Sequence, residues 1–425
     1  MFEAILRRPQ RLLIIVLGCV IVLFITTYFS ISENSAEMIR DRIQHLPYLH
    51  PSEVSCPSPA VAQNTGSIMP QTIADVRKLA TVGDDTNLYP PEFVPHEVNK
   101  MPRVKAGFVV LVRNQELEDM KSSMRDVEDR FNRKFGYPWI FLNDKPFTEE
   151  FKNGVRSMTR SECRFGLVPT EHWSYPSWID QEKAAREREK MVANDVIYGG
   201  SESYRHMCRF QSGFFWRNNA TLDLDYYWRV EPGVRLYCDI DYDPFMFMAI
   251  NNKQYGFTIS LHEYEATIPT LWKETQEFIR AHPEFVASDN ALGFITDDPS
   301  KGIFDQKYNN CHFWSNFEIG DMRLWRSPAY RAYFEHLDRA GGFFYERWGD
   351  APVHSIAASI FLNRSQIHHF EDIGYYHVPF THCPANIEKF HKTGKCRCDP
   401  STSNDKDGFM CMKEWWRTSI EGKPK

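Results

Sequence analysis

A strand, an amphipathic helix and a second strand follow one another closely where the apolar part of the chain begins. Residues 106–112 (AGFVVLV) form a continuous apolar run, which is typical of a strand covered on both faces. Over residues 117–135 apolar side chains recur at spacings of three and four, which predicts a helix with one buried face. Residues 139–142 (WIFL) predict the second strand. A unit of this size builds a parallel sheet with right-handed crossovers, so the sequence predicts an α/β fold.

The rest of the chain continues this mixture. Further strands are predicted at residues 225–230 and 256–261, and helices near residues 183–193, 269–281, 321–337 and 352–361. In open α/β sheets, ligands bind beyond the carboxyl ends of the strands. Glu231 directly follows a predicted strand and is therefore a site candidate. The sequence contains neither a P-loop nor a G-x-G-x-x-G pattern, so a glycine loop that cradles phosphate has no support.

The amino-terminal residues predict a membrane anchor. Residues 12–31 are apolar and have about the twenty-residue length that spans a bilayer. Arginines at positions 7, 8 and 11 precede this run, so the positive-inside rule places residues 1–11 in the cytosol and the later residues on the lumenal side. A cleaved signal peptide is the alternative; the length of the run and the lack of a small-residue cleavage site favour an uncleaved anchor.

The remaining boundaries follow from composition. Residues 32–102 are polar and rich in proline, serine and asparagine, which predicts a stem. The folded lumenal domain is then predicted over residues 103–414, with a tail at 415–425. The formal net charge is −6 and no basic block is present, which argues against nucleic acid as a partner.

The cysteines predict disulfides in an oxidising compartment. One of the ten, Cys19, lies in the apolar run, and the other nine are Cys56, Cys163, Cys208, Cys238, Cys311, Cys383, Cys396, Cys398 and Cys411. An odd number leaves at least one unpaired within the chain. Zinc held by the last four cysteines with His382 and His391 is the less favoured alternative, because a C-x-C spacing is atypical of structural zinc sites. The sequons at Asn219 and Asn363 predict N-glycosylation.

Three segments combine carboxylates, amides and aromatic rings at unusual density: residues 226–245, 309–327 and 341–356. Each prominent residue also has a purely structural explanation. Asp350 could cap a helix, Glu318 could pair with an arginine, and His377 could be a buried, hydrogen-bonded histidine. Their joint occurrence favours a polar cleft lined by rings.

These segments resemble the fungal Golgi α-1,2-mannosyltransferases of glycosyltransferase family 15. The resemblance is carried by YYWRVEPGVRLYCDIDYDPF, SYRHMCRFQSGFF, NNCHFWSNFE, GGFFYERWGDAPVHSIAASIFL and GYYHVPFTHCP, and extends over roughly residues 103–411. It implies a GT-A type fold, a Rossmann-like mixed sheet that binds a nucleotide sugar. It also implies a Golgi type II membrane protein that moves mannose from GDP-mannose to the 2-hydroxyl of an acceptor mannose, with retention and with Mn²⁺. The acceptor would be an N-linked or O-linked glycan of cell-wall mannoproteins.

The resemblance also implies roles for individual residues. Glu231 and His377 would hold Mn²⁺, and the D-x-D-like aspartates Asp239 and Asp241, with Asp243, would be structural. Glu318 would be the nucleophile candidate, and Tyr204 would lie near the sugar. Asp350 would lie on the acceptor side. Arg113 and Arg229 would bind the donor. A covalent intermediate and a same-face attack both remain open. Three other functions stay possible at this point: transfer of mannosyl-phosphate from the same donor, a retaining glycosidase, and a membrane-anchored lectin without turnover.

Overall fold

The computed structural model of the chain describes residues 103–298 and 300–422. The predicted anchor (12–31) and the predicted stem (32–102) lie outside these residues. Within the described part, no helix is both long enough and apolar enough to cross a bilayer. The structure thus covers the domain that the sequence predicts from residue 103 onward, apart from residue 299 and the last three residues.

A mixed seven-stranded sheet forms the centre of the domain. The strands of the described residues are β1 Ala106–Leu111, β2 Trp139–Asn143, β3 Cys163–Leu167, β4 Tyr226–Arg229, β5 Arg235–Leu236, β6 Tyr255–Phe257, β7 Ser260–His262, β8 Cys311–Phe313, β9 Glu318–Asp321, β10 Ile367–His369, β11 Tyr375–His377 and β12 Phe380–His382. The central order is β10-β6-β9-β4-β1-β2-β3, in which β9 runs antiparallel to both neighbours and the other pairs are parallel. Strands β12, β11 and β5 form a small antiparallel sheet, and β7 pairs with β8.

Helices pack around this sheet. They are α1 Leu117–Val127, α2 Glu149–Arg156, α3 Gln181–Ala193, α4 Glu202–Gly213, α5 Pro244–Ile250, α6 Leu271–Ala281, α7 Leu292–Ile295, α8 Met322–Arg326, α9 Pro328–Ala340, α10 Gly342–Tyr345, α11 Asp350–Phe361 and α12 Met412–Thr418. Helix α1 continues through a π-helical turn to Phe135 and ends at Gly136, whose φ of 76° is left-handed. The predicted strand–helix–strand unit is confirmed, because β1 and β2 are parallel neighbours joined by α1.

Alternate residues of the central strands enter two separate cores. Phe108 and Val110 of β1 pack in one apolar cluster, whereas Val109 packs in the other. Trp139 and Ile140 of β2 divide in the same way. Since successive side chains of a strand point to opposite faces, both faces of the sheet are covered. This explains why residues 106–112 are apolar without alternation.

Two predicted elements are divided in the structure. The predicted strand 256–261 is two strands: β6 lies in the central sheet and β7 pairs with β8 outside it. The predicted helix 321–337 is interrupted at Ser327–Pro328, where proline has no N–H to continue the first helix. The Ser327 side chain accepts from the Tyr330 N–H at 3.1 Å and so caps the second helix. At the carboxyl end, α12 buries Trp415, so the fold extends past the boundary predicted at residue 414.

Three disulfides confirm the predicted oxidised state. They join Cys238 to Cys396, Cys311 to Cys411 and Cys383 to Cys398, while Cys163 and Cys208 are free thiols among the described residues. The zinc alternative is wrong, because the last four cysteines are all consumed in these bonds. His382 instead contacts Asp405 Oδ2 at 2.8 Å and the Glu371 carbonyl at 2.9 Å.

Candidate active site

A cleft opens beyond the carboxyl ends of β1, β2 and β4. It has a volume of about 450 Å³ and adjoins a second hollow of about 490 Å³. Arg113, Asn143, Asp144, Trp173 and Ser203 line both. Arg113 lies two residues after β1, and Asn143 is the last residue of β2. The cleft therefore occupies the position that the strand order of an open α/β sheet predicts for a ligand.

The amino-terminal turn of α4 forms one wall of this cleft. Ser201 caps the helix by accepting from the Tyr204 N–H at 3.1 Å, and Arg113 donates to the Ser203 hydroxyl at 2.5 Å. The Tyr204 ring stacks on Tyr198, with centroids 4.6 Å apart. Tyr198 has a left-handed φ of 56° and is 58% exposed, so an unfavourable backbone conformation holds an exposed ring at the mouth of the cleft.

A buried ion pair connects β4 to the start of α11. Arg229 donates to Asp350 Oδ2 at 2.5 Å, and the Ser315 hydroxyl donates to the same oxygen at 2.7 Å. Burial alone would raise the pKa of Asp350, but the charges of Arg229 and His354 and the Ser315 hydrogen bond outweigh it and lower the pKa. The N-cap residue of α11 is Gly349, and Asp350 is the first residue of the helix, where its carboxylate accepts from Arg229 and Ser315. Its carboxylate is therefore ionised and aimed at Arg229.

Glu231 and His377 face each other at the edge of the cleft. Glu231 lines the cleft and receives a hydrogen bond from Arg229 Nε to Oε1 at 3.0 Å. Its Oε2 lies 3.6 Å from His377 Nε2, and both side chains are about a quarter exposed, 26% and 25% respectively. His377 Nδ1 lies 3.2 Å from the Val378 carbonyl oxygen, which can only accept, so Nδ1 is the donor in this contact and Nε2 is the nitrogen that faces Glu231. A carboxylate oxygen and an imidazole nitrogen therefore converge at the edge of the cleft, and a donor set of this composition suits Mn²⁺.

Glu318 lies behind the cleft and is 1% exposed. Glu318 is the first residue of β9, and it pairs with Arg229 of β4 in the register of the sheet. The hydroxyls of Tyr227 and Tyr255 donate to its two oxygens at 2.7 and 3.0 Å, and His354 Nδ1 lies 3.1 Å from Oε2. Burial, followed by the nearby Glu318 charge, raises the pKa of both tyrosines well above the usual value, so both keep their protons and act as donors. Glu318 is thus a fully hydrogen-bonded carboxyl group, without a direct arginine partner.

The three aspartates after Glu231 have other partners. Asp239 pairs with Arg130 at 2.5 Å, and Asp241 pairs with Lys134 at 3.0 Å. Asp243 caps α5 and accepts from the Tyr137 hydroxyl at 2.6 Å. None of them is among the residues that line the cleft. These contacts agree with a structural role.

One further cluster could be mistaken for a metal site. Within the described residues, ligand atoms of His262, Cys311 and Cys411 lie within 4.8 Å of one another. Metal binding requires a thiolate, and both sulfurs are in a disulfide. The cluster therefore does not fit a metal ion.

The structure brings together the residues singled out from the sequence, in two layers. Arg113, Tyr204 and Glu231 line the cleft, and His377 contacts Glu231. Arg229, Glu318 and Asp350 lie buried directly behind them. Ser315, Ser203, Asn143 and His354 are contacts that sequence reasoning missed. Two of these had a signal: Asn143 follows a predicted strand, and His354 is four residues after Asp350 on the same helix.

Comparison with known proteins identifies the family. The sequence model of the glycolipid 2-alpha-mannosyltransferase family matches residues 64–420. Glycolipid 2-alpha-mannosyltransferase 1 of Candida albicans is 58% identical over 77% of this chain and 74% of its own length. Alpha-1,2 mannosyltransferase KTR1 of Saccharomyces cerevisiae is 56% identical over 76% of this chain and 81% of its own length.

Solved structures agree with this result. The Mn/GDP form of core-mannan synthase A from Aspergillus fumigatus is 42% identical and superimposes with a TM-score of 0.69, covering 80% of this chain and 92% of that one. The mannosyltransferase Ktr4p of S. cerevisiae in complex with GDP is 37% identical, with a TM-score of 0.72 over 82% of this chain and 91% of that one.

The mixed sheet and the cleft at its strand ends define a glycosyltransferase with a GT-A-like fold. The chain belongs to the fungal mannosyltransferases of glycosyltransferase family 15, the glycolipid 2-alpha-mannosyltransferase family. The resemblance that the sequence motifs indicate is thereby confirmed.

Proposed function

We propose that the protein is a Mn²⁺-dependent, retaining α-1,2-mannosyltransferase that uses GDP-mannose. The observation that carries the proposal is the Glu231–His377 pair at the edge of the cleft beyond β1, β2 and β4. The similarity of the chain to mannosyltransferases whose structures contain GDP, in one case with Mn, supports it further. The acceptor is an α-mannoside on a glycan of secreted or cell-wall glycoproteins.

Glu231 Oε2 and His377 Nε2 are the protein ligands of the metal in this proposal. When bound, Mn²⁺ supplies positive charge that stabilises the departing diphosphate. Arg113 lines the same cleft as Glu231, and its guanidinium can meet phosphate oxygens bidentately. Nucleotide binding is therefore assigned to the wall formed by Arg113, Asn143 and the first turn of α4.

The buried carboxylates act on the sugar and the acceptor. Asp350 is held ionised beside Arg229, so it can orient the attacking hydroxyl or accept its proton. Glu318 is shielded from water, and its charge therefore acts on positive charge that develops on the sugar ring more strongly than a solvated carboxylate would. Tyr204 lies against the same space and positions the sugar ring.

The test is transfer by the purified enzyme from GDP-mannose to methyl α-mannoside with Mn²⁺, followed by linkage analysis of the product. We expect an α-1,2-linked dimannoside, and loss of transfer after chelation. A phosphodiester in the product would instead identify a mannosyl-phosphate transferase. Hydrolysis of mannosides without donor would identify a glycosidase, and mannose binding without any turnover would identify a lectin.

We further propose that residues 12–31 anchor the enzyme in the Golgi membrane with the catalytic domain in the lumen. The apolar run, the arginines before it and the three disulfides of the domain support this topology. Replacing residues 1–31 by a cleavable signal should release a soluble, active and glycosylated enzyme. A secreted, folded but inactive product would contradict a catalytic domain confined to the lumenal part.

A further inference from the structure

A row of aromatic rings leaves the cleft at His377 and crosses the neighbouring surface. Trp314 packs edge-on against His377 at 5.3 Å, and Phe380 packs edge-on against Trp314 at 5.4 Å. Phe409 stacks on Phe380 at 6.0 Å, and Tyr264 follows at 5.8 Å from Phe409. We call Trp314, Phe380, Phe409 and Tyr264 the aromatic row.

The outer end of the aromatic row is exposed but held in place. The Tyr264 side of the row is open, with Tyr264 itself 51% exposed, whereas its other members are half-buried. The Tyr264 carbonyl accepts from both the N–H and the hydroxyl of Thr267, at 2.9 and 2.6 Å. The exposed ring therefore stands on a main chain that is fixed by two hydrogen bonds, beside rings that are partly accessible.

Separate chain segments bring these rings together. Trp314 directly follows β8, and Phe380 opens β12. Phe409 lies beside β7, where its carbonyl accepts from the His262 N–H at 3.0 Å, and Tyr264 follows two residues after that strand ends. The four rings come from separate parts of the sequence, and the packing of β7, β8 and β12 brings them together.

A second connection ties the outer end back to the cleft. Glu263, the neighbour of Tyr264, lies 3.4 Å from Arg347. The Arg347 guanidinium in turn lies 5.2 Å from the ring centre of Tyr204, which lines the cleft. The residue next to Tyr264 is thus connected to the cleft residue Tyr204 through the side chain of Arg347.

We propose that the aromatic row binds the sugar units that precede the terminal mannose of the acceptor. This inference rests on the proposed mannosyl transfer and deepens it: the acceptor is an oligosaccharide that extends over several rings, rather than a single mannose. Pyranose rings present flat C–H faces that pack on aromatic side chains while their hydroxyls remain in water. A ligand with that shape and chemistry fits a row that begins beside Glu231 and ends at an exposed tyrosine.

The experiment compares two acceptors on the full-length enzyme, methyl α-mannoside and a linear α-mannotrioside, in wild type, Tyr264→Ala and Tyr264→Phe. In wild type the trisaccharide has the lower KM. Tyr264→Ala raises the KM for the trisaccharide by roughly three- to tenfold, the scale of one lost aromatic contact, and changes the KM for methyl α-mannoside less than twofold. Tyr264→Phe keeps the ring and therefore keeps the preference.

Phe304→Ala is the matched control, because Phe304 is an exposed ring (44%) that packs on Arg280 outside the cleft and outside the aromatic row. It leaves both KM values at the wild-type level. Equal effects of Tyr264→Ala on both acceptors, or no preference for the trisaccharide in wild type, would overturn the inference while transfer itself persists. Failure of wild type to transfer to either acceptor is a different result and would overturn the proposed function.

Discussion

His354 Nδ1 lies 3.1 Å from Glu318 Oε2, and its other nitrogen lies 3.1 Å from the main-chain carbonyl of Gln211. A carbonyl oxygen only accepts, so His354 Nε2 carries a proton. The contact at Nδ1 joins His354 of α11 to Glu318 of β9. The hydroxyls of Tyr227 and Tyr255 donate to the same carboxyl group, so Glu318 is held by three side chains at once.

Two substitutions separate the contacts of His354. His354→Asn retains a donor near the Nδ1 position, whereas His354→Gln retains a donor near the Nε2 position. If the contact with Glu318 matters for transfer, His354→Gln should lower kcat about ten- to hundredfold, the range for a lost hydrogen bond to a charged group, and His354→Asn should lower it less. Steady-state kinetics with calorimetric GDP affinity checks this. Equal losses of kcat in both variants, with equal losses of Tm, would instead show a purely structural histidine.

Glu318→Gln tests the charge of that carboxylate. The amide keeps the size of the side chain and removes the charge that would stabilise the transition state. An interaction confined to the transition state affects kcat more than ground-state binding, so donor Kd should barely change. Transfer should fall by at least ~10²-fold, as it does when one preorganised electrostatic group is lost. Measuring kcat, donor Kd and Tm on one preparation is decisive, since near-normal kcat would remove Glu318 from the mechanism.

The buried pair of His382 and Asp405 predicts a pH-dependent contribution to stability. Burial lowers the pKa of His382, but the Asp405 charge and hydrogen bond outweigh it and raise the pKa, while the pKa of Asp405 is lowered by the same contact. A raised histidine pKa stabilises the fold fully below the unfolded value of about 6.5, and this stabilisation is lost as pH rises through the folded pKa. The aspartate contribution is lost only as pH falls through its lowered pKa.

Asp405→Asn should therefore lower Tm most near pH 6, by on the order of 2 °C or more, and progressively less toward pH 9. Thermal melts of wild type and variant at intervals across this range provide the measurement. Asp241→Asn is the control, because Asp241 pairs with Lys134 at the exposed surface and should change Tm little at any pH. A deficit for Asp405→Asn that is constant from pH 6 to pH 9 would show that the pair does not titrate.

The local periodicity of the sequence was enough to predict the first strand–helix–strand unit, whereas strand pairing elsewhere depends on contacts between distant segments. The unit of β1, α1 and β2 has strong local signals, and the structure confirms it. Residues 256–261 (GFTISL) read as one strand, and nothing in this segment tells which residues pair with β10 and which with β8. The same limit applies to the site. Glu231 follows a strand and could be placed from sequence, whereas Glu318 meets Tyr227 across a separation of 91 residues, which only the packed structure reveals.

The D-x-D-like aspartates show why a motif alone is a weak guide. Asp239 and Asp241 match the pattern by which many related folds hold a metal, yet each pairs with a basic side chain of the helical segment that follows β1. Glu231 instead places one carboxylate oxygen 3.6 Å from Nε2 of His377, at the edge of the cleft. These contacts support our proposal that Glu231 and His377 hold the metal.

Titration calorimetry of GDP, with and without Mn²⁺, on wild type, Glu231→Ala and Asp241→Asn tests this assignment most directly. Wild type and Asp241→Asn should both bind GDP more tightly when Mn²⁺ is present, because the exposed Asp241–Lys134 pair lies outside the cleft. Glu231→Ala should lose that Mn²⁺-dependent gain and all mannosyl transfer while it keeps the wild-type Tm within a few degrees. Retention of the gain by Glu231→Ala, together with its loss in Asp241→Asn, would contradict the account and return the metal to the D-x-D aspartates.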